Sequence, residues 1–267
     1  MSCHAISKSK KNASDSINCK HLTFALAGNA NVGKSVIFNQ LTGSNQIIGN
    51  WPGKTVERAE GTLIFEGHEI KIIDLPGIYS FSTFSMEELV SRDYIALEKP
   101  DVVLNVVDAS VLERNLFFTL QLLEMQAPLV LCLNQVDVAR SKGMIIDKEK
   151  LEQALGIPVV FATATRGEGI YELVREAIKV ATRKPKPKHL KYRKELEEKI
   201  EQLKQKIEKR NLGLQYPARW LAIKLLEGDS EVTKILAEKS KAVVDSAKTI
   251  AQELSNSCQE PCFSIIA

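Results

Sequence analysis

Leu22-Thr23-Phe24-Ala25-Leu26-Ala27-Gly28-Asn29-Ala30-Asn31-Val32-Gly33-Lys34-Ser35 is the stretch around which the chain is organised. The apolar run from Leu22 to Ala27 has the length and composition of a buried strand. It breaks at Gly28, and after a short loop an apolar-rich helix opens, expected over 34–42. Gly28-x4-Gly33-Lys34-Ser35 meets the phosphate-binding-loop pattern at every fixed position. Its glycines let the backbone curl so that successive N–H groups, over Gly28 to Val36, face phosphate oxygens. Lys34 then reaches the β- and γ-phosphates, and the Ser35 hydroxyl is placed to ligate Mg²⁺. A chance glycine-rich turn would lack the strand before it and the helix after it. The expected ligand is a nucleoside phosphate.

The whole chain has 267 residues, room for one full domain and a smaller one. A net charge of +3, with 44% hydrophobic and 26% charged residues, gives no argument for nucleic acid as a partner. No apolar run approaches the roughly 20 residues that span a bilayer, and Met1 to Lys20 has no signal core. The chain as given is therefore expected to be soluble and cytoplasmic. Five cysteines form no disulfide framework at this size. Cys132 reads as a buried small hydrophobe within a strand. Cys258-x3-Cys262, with Cys3, Cys19 and His4 near the other end, could be recruited as metal ligands, but the spacing matches no strong zinc pattern.

Residues 1–20 read as a disordered arm, and 21–183 as one α/β domain. Strands are expected at 22–27, 57–65, 69–73, 101–107, 128–133 and 157–162, with helices at 34–42, 86–98, 113–126, 148–155 and 168–182. Gly67 marks a tight turn joining the second and third strands, and helices link the others. The expectation is a mostly parallel six-stranded sheet with one antiparallel edge and helices on both faces. Lys184-Pro185-Lys186-Pro187-Lys188 reads as a linker. Beyond it, 189–255 is expected to be a small all-α domain and 256–267 a tail. Leu196, Ile200, Leu203 and Ile207 form one apolar stripe, Gly213 ends that helix, Pro217 opens the next, and Gly228 closes it.

Three further motifs turn a phosphate binder into a Ras-like GTPase. Asp74-Leu75-Pro76-Gly77 follows a strand, placing Asp74 to hold Mg²⁺ through water and the Gly77 N–H to meet the γ-phosphate. Asn134-Gln135-Val136-Asp137 follows another. Asp137 can accept from guanine N1–H and its amino group, donors that adenine lacks, and Asn134 can bind the base and tie loops together. Gln135 stands where lysine is usual, which weakens base stacking. Thr163-Ala164 follows the last strand, where a backbone N–H reads the guanine oxygen.

Gly49-Asn50-Trp51-Pro52-Gly53-Lys54-Thr55-Val56-Glu57, Asp74 to Ser80, and Glu113-Arg114-Asn115-Leu116 closely resemble the cytosolic GTPase part of FeoB, the prokaryotic ferrous-iron transport protein B. Arg92-Asp93-Tyr94 and Tyr216 to Ala222 look like further signatures, so the resemblance covers about 22–228 and includes a helical domain likened to a nucleotide-dissociation inhibitor. It implies GTP and GDP as ligands, with Gly53 and Thr55 in a switch loop where Thr55 closes on Mg²⁺. It also implies Asn31 as a K⁺-holding residue. Catalysis would fall to Lys34, Thr55, Gly77 and Asn31. Ile78, where Ras-type enzymes carry a water-orienting glutamine, implies slow intrinsic hydrolysis. The implied partner is a membrane-embedded ferrous-iron permease domain at the cytoplasmic face of the cell membrane; a homo-oligomer is also allowed. Such a membrane domain is missing before Ala267, and a fragment or truncation is expected. The Trp51 loop is expected to depend on nucleotide for its order, with Trp51 partly exposed. The competing reading is a ribosome-assembly or RNA-modification GTPase, which usually appends an RNA-binding domain; 189–255 gives no such signal. A soluble iron-binding protein would rest on Cys258 and Cys262 alone.

Overall fold

The computed structural model describes residues 20–43, 45–81, 85–185, 190–210, 212 and 215–266. The sheet is built from β1 (Lys20–Gly28), β2 (Gln46–Asn50), β3 (Glu57–Phe65), β4 (His68–Asp74), β5 (Val102–Asp108), β6 (Leu129–Asn134) and β7 (Val159–Phe161). Their order is β2-β3-β4-β1-β5-β6-β7. β1 runs parallel to β4 and β5, and β5, β6 and β7 continue in parallel; β2 and β3 form the antiparallel edge. The sheet thus has seven strands, one more than the sequence pattern predicts. The extra strand, β2, lies in the stretch read as loop: Ile47 and Ile48 remain exposed, and antiparallel pairing to β3 rather than burial defines it. The β3–β4 turn is tight, with Glu66 and Gly67 both at positive φ, 44° and 78°.

Helices cover both faces. α1 (Lys34–Thr42) and α6 (Ile170–Arg183) bury Ile37, Phe38, Leu173 and Ala177 against Phe24, Leu26, Leu104 and Val106. α3 (Leu112–Glu124) lies on the opposite face, burying Phe118 and Leu122 against Ala25, Val103 and Val107. Strand periodicity sorts these side chains: in β5, Leu104 and Val106 face one helix layer while Val103 and Val107 face the other. Asn105 shares the second face, where its amide donates to Thr119 Oγ1 of α3 at 2.6 Å. α2 (Met86–Asp93) starts at Ser85, whose hydroxyl accepts from the Glu88 N–H, and passes into a π-helical turn over Tyr94–Glu98 rather than one α-helix to residue 98. Two short helices complete this part, α4 (Val136–Ser141) and α5 (Lys148–Leu155). Cys132 is fully buried in β6, where burial pushes its thiol up to about 12.

The helical region contains α7 (Lys194–Lys209), α8 (Ala218–Glu227), α9 (Ser230–Cys258) and α10 (Cys262–Ile266). Leu196, Ile200, Leu203 and Ile207 are all buried, as their spacing requires. Pro217 is the N-cap of α8, and Gly228 closes it at φ 81°. The segment read as a tail is corrected in its structure: α9, kinked at Ser240, runs to Cys258, and α10 buries Cys262 and Ile266. Residues 1–19, the linker residues 186–188, and Gly213 lie outside the described residues, as does the Cys258 side chain. Cys3, His4 and Cys19 are therefore outside them too.

Two buried arginines hold the helical region to the sheet's α3 face. Arg219 of α8 donates from Nε to Glu124 Oε2 of α3 at 3.0 Å, from both terminal nitrogens to Glu197 of α7, and from Nη2 to the Leu190 carbonyl at 2.9 Å. Burial pushes the Glu124 carboxyl above its ordinary range while Arg219 pulls it back. Arg92 of α2, 3% exposed, lies against the Tyr216 and Trp220 rings and 3.9 Å from Asp229. Tyr216 Oη donates to Asp93 at 2.7 Å and its ring stacks on Trp220. The Arg92-Asp93-Tyr94 and Tyr216-to-Ala222 stretches are thus the two sides of one seam.

Glu124→Ala leaves Arg219 its Glu197 partner but strips its buried Nε–H of an acceptor, and is expected to cost about 1–3 kcal/mol in denaturant titration. Lys199→Ala, which breaks an exposed pair with Glu253, should cost less than about 1 kcal/mol. Equal losses from the two variants would remove Arg219–Glu124 as the anchor.

Candidate nucleotide site

Parallel strands β1, β5, β6 and β7, with β4, deliver their loops to one rim. β1 ends at Gly28, φ 155°, where a Cβ would run into the Val106 carbonyl of β5. Gly33, φ 86°, caps α1, and the Ile37 N–H bonds its carbonyl at 3.1 Å. A Cβ on Gly33 would overlap the Asn134 side-chain amide. Asn29 and Val32 are buried, Gly33 and Lys34 partly so, and Ala30, Asn31, Ser35 and Val36 are exposed. Asn31 sits at φ 66°, a left-handed conformation that asparagine tolerates better than most residues.

Lys34 Nζ meets Asp74 Oδ1 at the end of β4, 2.5 Å away, with both side chains largely shielded. Burial pushes the Asp74 carboxyl up; Lys34 opposes this, and Glu57 adds to it. A shielded carboxylate at this position favours a cation beside it. With the Ser35 hydroxyl at the start of α1, the donor set is hard oxygen, which fits Mg²⁺. Among the described residues, no group of three or more His, Cys, Asp or Glu side chains could hold a metal by itself. Gly77 lies against the phosphate-binding loop, where a Cβ would come within 3.1 Å of Ala30 Cα. The Ile78 N–H donates to the Gly28 carbonyl at 3.2 Å, and its side chain is buried, 3% exposed.

Asn134, at the end of β6 and 3% exposed, joins two loops. Its Nδ2 donates to the Val32 carbonyl at 2.9 Å, and its Oδ1 accepts from the Ala164 N–H at 3.0 Å. The Ala164 N–H, expected to read a guanine oxygen, is therefore directed at Asn134 here. Thr163, buried, pairs with Glu168 across the turn. Gln135 adopts φ 61° and caps α4, which carries Asp137 in its first turn. The sequence reading missed Arg166, whose Nη2 stands 3.8 Å from Asp137 Oδ2. The available signal was a basic residue in the short turn after Thr163-Ala164.

Thr55 and Gly53 are not drawn in. They stand exposed in a turn closed by Trp51 N–H to Val56 O (2.9 Å) and Lys54 N–H to Trp51 O (3.0 Å), and no hydrogen bond is found from Thr55 to Ser35 or Asp74 among the described residues. Trp51 corrects its expectation as well. It is buried, 9% exposed, edge-on to Tyr94 at 5.2 Å, with the Arg58 guanidinium 4.8 Å over its ring.

A family model described as "Ferrous iron transport protein B" matches residues 22–177, and one described as "FeoB cytosolic helical domain" matches 192–267. Among curated proteins, the Fe(2+) transporter FeoB of Methanocaldococcus jannaschii is 46% identical over 252 residues, covering 92% of this chain and 37% of that protein. The Fe(2+) transporter FeoB of Escherichia coli K12 is 41% identical over 218 residues, 79% of this chain and 27% of that protein. The chain thus spans between a quarter and two fifths of these relatives' length. Among solved structures, a point mutant of S. thermophilus NFeoB bound to mGDP superposes with TM-score 0.85 at 38% identity, covering 92% of this chain and 94% of that one. The cytosolic domain of T. maritima FeoB in GMPPNP form gives 0.76 at 32% identity, covering 87% and 98%. Together with the rim of loops described above, these matches lead to one conclusion: the chain belongs to the FeoB family, ferrous iron transport protein B.

Proposed function

We propose that this chain binds GTP and hydrolyses it to GDP and phosphate, as the nucleotide-dependent module of a ferrous-iron transporter. The observation that carries the reading is the buried Asn134 amide, which couples the phosphate loop at Val32 to the loop at Ala164 and sets Asp137 three residues further on. Solved relatives binding GDP and GMPPNP support it. The backbone N–H groups of Gly28 to Val36 hold the phosphates, and Lys34 leaves Asp74 to meet them. Ser35, Asp74 and, once its turn closes, Thr55 would hold Mg²⁺, which neutralises charge growing between the β- and γ-phosphates. Gly77 offers its N–H to the γ-phosphate. Asp137 and Asn134 read the guanine, with Gln135, Thr163 and Ala164 shaping the slot.

Hydrolysis is in-line attack by water on the γ-phosphorus. The bond to the β–γ bridging oxygen breaks, GDP leaves, and the water's proton ends on phosphate. The buried, apolar Ile78 cannot orient that water, so turnover rests on charge placed beside the phosphates. K⁺ held by the Asn31 side chain would add such charge. The permease part of the transporter, in the same polypeptide in full-length relatives, is the proposed partner of the nucleotide-dependent state, at the cytoplasmic face of the membrane. No helix among the described residues is long and apolar enough to cross a membrane.

Asp137→Asn swaps an acceptor for a donor and should weaken GTP binding by about tenfold or more while raising tolerance for xanthosine triphosphate. Unchanged GTP affinity in calorimetric titration would rule out this guanine contact. For the cation, wild-type turnover should be faster in K⁺ than in Na⁺ at matched ionic strength. Asn31→Gly, which keeps the positive φ available, should erase the difference. Equal wild-type rates in both salts would end the cation proposal.

A further inference from the structure

The turn after β7 is stiff. Thr163 and Glu168 exchange backbone hydrogen bonds at 3.1 and 3.3 Å, the Arg166 N–H donates to the Thr163 carbonyl at 2.9 Å, and the Gly167 N–H to that of Ala164 at 3.1 Å. From this fixed base the Arg166 side chain, 64% exposed, reaches across to α4. Its Nη2 lies 3.8 Å from Asp137 Oδ2, an ion pair rather than a hydrogen bond, and it is the one cation paired with that carboxylate among the described residues. Gln135, the residue two before Asp137, brings no charge to the slot.

We infer that Arg166 is a positioning residue for base recognition: its guanidinium pairs with Asp137 Oδ2 and so biases the plane in which that carboxylate meets a purine. The inference rests on Asp137 being the guanine acceptor. An ionised carboxylate has about four lone-pair sites on two oxygens. Guanine's N1–H and amino group use one on each oxygen, which leaves a further site on each, including the Oδ2 that Arg166 approaches. Cation and base can therefore be bound together. Without Arg166 the carboxylate turns more freely about its last torsion. A two-pronged contact suffers from that more than a one-pronged contact does. Guanine offers two donors here; hypoxanthine, which lacks the amino group, offers one. An exposed pair adds little to stability, so its effect is read in discrimination between these bases.

The test titrates the full chain with GDP, IDP and ADP in the presence of Mg²⁺, for wild type, Arg166→Ala, Arg166→Lys and Asp137→Asn. Arg166→Ala should lose about two- to fivefold in GDP affinity, with IDP changed by less than about twofold, so the guanine-over-hypoxanthine ratio narrows. Arg166→Lys keeps the positive charge and should recover part of that ratio. Wild-type GDP affinity in Arg166→Ala, tighter GDP binding, or an equal loss for GDP and IDP would each overturn the inference. If wild type fails to prefer GDP over ADP, or Asp137→Asn leaves GDP binding intact, the Asp137 assignment itself has failed, and the Arg166 role falls with it. These two failures are read from different variants.

Discussion

The Asn134 side chain is the contact on which the rim of the sheet depends. One buried amide uses its donor on the Val32 carbonyl and its acceptor on the Ala164 N–H, so two loops far apart in sequence keep one spacing. Each such bond contributes about 1 kcal/mol net, but leaving either loop's buried group unpaired costs about 1–3 kcal/mol. The asymmetry explains the local sequence. Gly33 must lack a Cβ because the Asn134 amide occupies that space, and its φ of 86° suits glycine independently. Asp137, one helical turn beyond, inherits its place from the same strand end.

The second constraint is the seam to the helical region. Arg219 and Arg92 are buried cations whose charges are met from both sides, by Glu124, Glu197, Asp93 and Asp229. The seam is continuous with the neighbourhood of the Trp51 turn. Trp51 packs on Tyr94, the first residue of the π-helical turn, and its chain neighbour Asp93 accepts from the Tyr216 hydroxyl. The turn carrying Thr55 and the start of α8 are thus separated by a short set of packed side chains.

What was legible in the sequence was what local chemistry dictates. The phosphate-binding loop needs glycine where φ is positive and where Asn134 and Val106 crowd in, so its pattern shows in any reading. Apolar runs such as Val102 to Val107 announce strands buried on both faces. β2 was not legible, because a five-residue edge strand with both isoleucines exposed has no burial period. Trp51 beside Pro52 and Gly53 looks like a loop aromatic; Tyr94 and Arg58, outside that loop, bury it. The π-helical turn after α2 has no local signature. Arg166 and Asp137 meet only where the turn after β7 is braced against the end of β6 through Asn134, a tertiary contact with no local signature. The helical stripe of Leu196 to Ile207 was visible by its spacing, whereas α10 is too short to show a period.

Hydrogen exchange with and without GDP and Mg²⁺ tests the central claim most directly, that three loops braced through Asn134 form one guanine-nucleotide site. Amides of 28–36, 134–138 and 163–168 should gain protection together on adding GDP, and inorganic pyrophosphate should protect only the first segment. Protection by GDP confined to 28–36, with the other two loops exchanging as before, would contradict the account.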